Sequence, residues 1–109
     1  MTFNEITASR IRQAMQGTPG VTERNMFGGI SFMLAGNMCC GVIEDNLVVR
    51  VGPGQYEDVL REPHARPMDF TGRPLTGFVY VERAGYETPA ALIRWIERGV
   101  EFVRTLPGK

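Results

Sequence analysis

Two cysteines stand side by side at positions 39 and 40, and they are the only thiols in the chain. Adjacent cysteines cannot staple distant segments together, which agrees with a reducing compartment. As redox candidates Cys39 and Cys40 compete with ordinary packing, because buried thiols are usually inert. Successive strand side chains point to opposite faces, so one thiol is expected in the core and the other outward. Met26, Met33, Met38, Met68 and the single His64 suit a soft metal by ligand type. Their spacing matches no compact ligand motif, and thioethers also fill irregular core gaps. One His and one vicinal Cys pair make no zinc pattern. His64 and Asp69 with Ser31 or Ser9 form no credible triad, since neither serine lies in a G-x-S-x-G elbow. Gly28-Gly29 likewise lacks the spacing of a phosphate loop. No catalytic residue, metal or cofactor is expected from these patterns.

Arg50, His64, Arg66 and Arg73 offer a different chemistry. If the segment 63–77 folds back over a sheet, they converge into a small basic site for a carboxylate or phosphate. The competing arrangement has them solvated, or paired with Glu62 and Asp69. The chain as a whole has no basic footprint: twelve Lys and Arg balance twelve Asp and Glu, and eleven of the twelve bases are Arg. Direct binding to a nucleic-acid backbone is therefore not expected.

The elements that must position these residues follow from periodicity and breakers. Thr2-Phe3-Asn4-Glu5 has the form of a capping box, and apolar residues then recur at helical spacing, predicting a helix from about Phe3 to Gln16. Gly17, Pro19 and Gly20 stop it. Turn clusters at 28–29, 35–37 and 44–46 cut the next stretch into four strands near 22–27, 30–35, 38–44 and 47–51, an antiparallel meander. Leu47, Val49 and Val51 share one face of the last strand, and Arg50 lies on the other. Gly52-Pro53-Gly54 opens a short helix through about Glu62, with Pro63 ending it. The segment 63–77 is a loop with an extended piece at 67–70, and 77–82 is a further strand. Thr88-Pro89 starts a long amphipathic helix whose inner face carries Leu92, Trp95, Ile96, Val100, Val103 and Leu106. Arg94, Glu97, Arg98, Glu101 and Arg104 occupy its outer face at spacings that permit ion pairs. The fold class is α+β: two layers, an antiparallel sheet with helices on one face.

At 109 residues one domain over 1–109 is expected. No apolar run approaches the roughly 20 residues of a membrane span, and the start lacks the pattern of a secretory signal, so a cytoplasmic location is expected. The meander leaves an edge or face open, and the apolar stretches 30–35 and 38–43 suggest a homodimer built on Met33, Met38 and the outward cysteine.

Three blocks carry a family resemblance: Asn25 through Met33, Gly36 through Val42, and His64 through Phe70 with Gly77 through Val81. Together they resemble the TfoX N-terminal domain family, with Met26, Phe27, Gly28, Gly29, Pro67 and Met68 among the motif residues. The family's named members, TfoX and Sxy, regulate natural competence and assist transcription of DNA-uptake genes. The resemblance implies a small non-enzymatic regulatory or protein-interaction module with a transcription-related protein partner. An anionic-ligand-binding or thiol-sensing domain is the alternative. Neither a glycine-rich cofactor loop nor a knot-forming length of chain supports an RNA methyltransferase.

Overall fold

The computed structural model of the protein describes residues 3–26, 28–69, 72 and 74–108. In chain order the elements are α1 (Glu5–Ala14), β1 (Val21–Met26), β2 (Gly29–Leu34), β3 (Asn37–Ile43), β4 (Asn46–Arg50), α2 (Tyr56–Leu60), β5 (Ala65–Pro67), β6 (Phe78–Val81), α3 (Arg83–Tyr86) and α4 (Pro89–Val103). The six strands form one antiparallel sheet in the order β1-β2-β3-β4-β6-β5. The four-strand meander and the α+β class match the expectation, with each strand starting and ending one residue earlier than read. Among the described residues no helix is long and apolar enough to cross a membrane.

Helix starts show where local signals were sufficient. Thr88 caps α4 as expected, its Oγ1 accepting from the Ala91 amide at 3.2 Å, with Pro89 at the first position. The cap of α1 is Asn4, whose Oδ1 accepts from the amides of Ile6 and Thr7. The expected start at Phe3 is overruled because Phe3 bridges to Glu44 and the Asn4 amide donates to the Glu44 carbonyl at 2.8 Å. Thr2 of the expected capping box lies outside the described residues. α2 begins at Tyr56, after a turn through Pro53 and Gly54.

Two apolar clusters lie on opposite faces of the sheet. On one face α1, α2, α3 and α4 pack over Phe32, Cys39, Cys40, Val42, Leu47, Val49, Val79 and Val81. Tyr86 from α3 ties this layer together. Its hydroxyl donates to the Asp45 carbonyl at 2.6 Å and lies 3.2 Å from Thr7 Oγ1, joining α3, the β3–β4 turn and α1. On the other face Met33, Met38, Ile43, Val48 and Tyr80 pack with fully buried Met68, while Leu75 and Phe78 lie against them. The segment after β5 holds this cover in place: the Leu75 amide donates to the Met68 carbonyl and the Phe78 amide to the Leu75 carbonyl. Met33 and Met38 are thus buried within the chain itself.

Candidate functional site

Of the four predicted basic residues, the described three do not meet: Arg50 lies apart from His64 and Arg66. β5 pairs with β6 in a register that sets Arg66 opposite Tyr80. Arg66 stacks over the Tyr80 ring, donates to Asn46 Oδ1 at 3.1 Å and lies 3.4 Å from Glu82. His64 Nδ1 is 3.7 Å from the same Glu82 carboxylate. Burial, then the charge of Asp69, raises the Tyr80 phenol above its ordinary range, so it stays a neutral platform for the guanidinium. Arg50 sits four residues further along β4 than Asn46, about 13 Å of strand away. Its guanidinium is held between the rings of Phe78 and Phe102, at 5.3 and 5.4 Å from their centroids. Arg73 lies outside the described residues. The acid that gathers His64 and Arg66 is Glu82, not the expected Glu62 or Asp69, because strand pairing brings β6 between β4 and β5.

The cysteines are arranged differently from the alternating pattern. Phe32 pairs with Cys40 and Met33 with Met38, so Cys39 is an extra residue on β3. This bulge turns both thiols to the helix-covered face, while Met38 stays on the other. Both are fully buried. Cys39 lies under α4 at Gly99, where a Cβ would be 2.7 Å from the Cys39 carbonyl oxygen and 3.1 Å from its Sγ. Cys40 lies under α1, its Sγ 3.9 Å from Met15 Sδ. The neighbouring Cys39 thiol, and then burial, hold the Cys40 thiol well above its ordinary range. The expectation of one outward thiol is thereby corrected, and neither cysteine is at the surface as a sensor would require.

A cleft of about 420 Å³ lies instead between α2 and α4. Val51, Val59 and Phe102 supply apolar lining, while Asp58, Glu62, Glu101 and Arg98 supply charge. Arg98 is engaged by Glu62 at 2.7 Å and stacks 4.5 Å from the Trp95 ring centroid. Glu62 is paired with Arg98, Asp58 lies 3.6 Å from Arg61, and the Arg50 guanidinium stacks on Phe102, so charges of both signs rim this cleft. Phe102 is fixed in place by Gly52: with φ +86 and the ring directly against it, this position accepts no side chain. A smaller groove of about 290 Å³ shares Glu62 and Arg98 and continues past Trp95 to His64. His64 itself has φ 71, an uncommon conformation for a bulky residue. Sequence reasoning missed this surface because Arg98 and Glu101 looked like a solvated helix face.

The motif residues of the family resemblance serve the frame. Met26 ends β1 against the second apolar cluster, Gly28 lies in the β1–β2 turn and Gly29 opens β2. Pro67 ends β5, and Met68 is buried directly after it. Phe27 and Phe70 lie outside the described residues. No curated protein and no solved structure matches the chain. The model of the TfoX N-terminal domain matches residues 13–103, which run from the end of α1 through the last residue of α4. With six antiparallel strands and the long closing helix all inside that match, the chain belongs to the TfoX N-terminal domain family.

Proposed function

We propose that the protein is a non-enzymatic regulatory module that acts by binding another protein, in the manner of the competence regulators whose family it belongs to. The observation that carries this reading is the α2–α4 cleft: apolar at Val51, Val59 and Phe102, and rimmed by Asp58, Glu62 and Glu101. A surface of this kind suits a partner segment that places one aliphatic or aromatic anchor beside lysine or arginine. Because Asp58 and Glu62 are already paired with Arg61 and Arg98, Glu101 is the carboxylate this reading offers to a basic residue of the partner.

Peptides carrying a central Leu or Phe flanked by Lys, and the same peptides with Glu in place of Lys, form the direct test. The basic series should shift the amide resonances of Val51, Val59 and Phe102, and Glu101→Lys with Asp58→Lys should abolish the effect. Equal shifts from both series would remove the charge argument. Absence of any shift, together with a small metabolite released on denaturing the purified protein, would replace the interaction reading by a ligand-binding one.

A further inference from the structure

The cleft between α2 and α4 does not end at Arg98. Arg98 and Glu62 line both this cleft and the smaller groove beyond it, so the two join into one channel. Its α4 wall is a single stripe of Ala91, Arg94, Trp95, Arg98, Glu101 and Phe102, spaced three and four apart as one helix face requires. Charge is ordered along that stripe. Arg94 is exposed and makes no ion pair among the described residues. The other base at its end is His64, whose Nδ1 lies 3.7 Å from Glu82. In the middle Arg98 and Glu62 neutralise each other at 2.7 Å, and Arg98 lies flat on the Trp95 ring. At the far end Asp58 faces Arg61 and the Arg50 guanidinium is taken up by the Phe78 and Phe102 rings. Glu101 there is exposed and makes no ion pair among the described residues.

A free base at one end and a free acid at the other set a length as well as a sign. Arg94 and Glu101 are seven residues apart in α4, about 10.5 Å along its axis. Positions i and i+7 of a second α-helix have the same separation and lie on one face. In an extended chain the residues about 10 Å apart are i and i+3, which point to opposite sides. On the protein-binding reading of the α2–α4 cleft, on which this step rests, we propose that the channel receives an amphipathic helix of the partner lying parallel to α4. Its acidic residue at i meets Arg94, its basic residue at i+7 meets Glu101, and an aliphatic or aromatic residue at i+8 enters between Val59 and Phe102. The acid then lies toward the N-terminal end of the partner helix and the base toward its C-terminal end, the order its dipole favours. Ala84, Gly85 and Ala91 leave room for the helix at the Arg94 end.

Trp95 is the only tryptophan in the chain and lines the channel, so its fluorescence reports the binding of peptides that carry no aromatic residue. Two stapled helical peptides on an alanine background are compared, one with Glu at i, Lys at i+7 and Leu at i+8, the other with Glu and Lys exchanged. The first should bind at least about tenfold more tightly, because the exchange turns two attractive pairs into two repulsive ones, and turning the helix round to restore them puts the leucine at the wrong end. In the variant Arg94→Glu with Glu101→Lys the preference should invert. Glu97→Lys, which faces the α1 side of α4, should leave it unchanged. Equal affinity of the two helices, or no inversion in the double variant, would overturn the helical docking. Silence from both helices while the flexible basic peptides still shift Val59 and Phe102 would overturn it and leave the cleft reading standing; no response to either kind of peptide would remove both. A dimer seen by light scattering that Arg94→Glu dissociates would assign the stripe to a second copy of the chain, with the two α4 helices antiparallel, and overturn the partner helix.

Discussion

Replacing Gly99 by alanine isolates the contact between α4 and the β3 bulge. In a helix interior this change ordinarily stabilises by about 1 kcal/mol, because alanine loses less backbone entropy. Here the added Cβ would lie 2.7 Å from the Cys39 carbonyl oxygen and 3.1 Å from its Sγ. Carbon–oxygen contacts settle near about 3.3 Å, so α4 must retreat by roughly 0.6 Å from a backbone atom that cannot rotate away. A gap of that size forfeits about a quarter to a half of each dispersion contact along the helix. Leu92, Trp95, Ile96 and Val103 all face the sheet from α4 and share that loss. Overpacking of this kind costs about 1–3 kcal/mol, which offsets the propensity gain of about 1 kcal/mol and leaves a net loss of up to about 2 kcal/mol. Gly17→Ala is the internal control: nothing lies within 4 Å of its added Cβ, so a gain of about 0.4–1 kcal/mol is expected. Urea unfolding with linear extrapolation reads both. Opposite signs are expected, and a stabilising Gly99→Ala would refute the close approach of α4 to Cys39.

Tyr86→Phe removes the donor to Asp45 and the partner of Thr7, so a loss of about 1–3 kcal/mol is expected in the same assay; no change would mean that the network does not hold α3 to the β3–β4 turn. Met33→Asp puts a carboxylate on a side chain 8% exposed in the second cluster, and should cost about 3–5 kcal/mol at every protein concentration. If light scattering instead shows a stable monomer replacing a dimer, Met33 belongs to an interface. Arg12 bonds Glu23 through two nitrogens and holds its carboxyl below the ordinary range. The folded pKa is thus lower than the unfolded one, so this pair contributes stability above the unfolded value near 4.5 and loses it as pH falls through the lower folded value. Urea midpoints between pH 3 and 6 should fall less steeply for Glu23→Gln, and equal slopes would rule out the linkage.

The α+β architecture was legible in the sequence because its signals are local. Thr88-Pro89 places the start of α4 within a turn, and the clusters at 28–29, 35–37 and 44–46 place the hairpins, since caps and turns are decided by a few adjacent residues. Ala35 and Gly36 show this directly: both have positive φ, as a two-residue mirror-image turn requires. The start of α1 and the short strand β5 were less legible. Phe3 is held extended by Glu44, and β5 forms at Ala65–Pro67 because β6 is there to receive it. α3 was missed altogether, since four residues carry too little periodicity to register.

The functional surfaces depended on tertiary structure. Arg50, His64 and Arg66 shared a charge in the sequence, but strand order sends them to different partners, Phe78 and Phe102 for one and Glu82 for the others. Glu101 and Arg98 read as a solvated stripe until α2 packed beside α4 and made that stripe one wall of a cleft. A single extra residue in β3 turned both thiols to the helix-covered face where one of them was expected outward, because alternation holds only while the ladder stays in register. Composition and turn chemistry determined that a two-layer module would form; which side chains meet across it was decided by register and packing, which act between residues far apart in the chain.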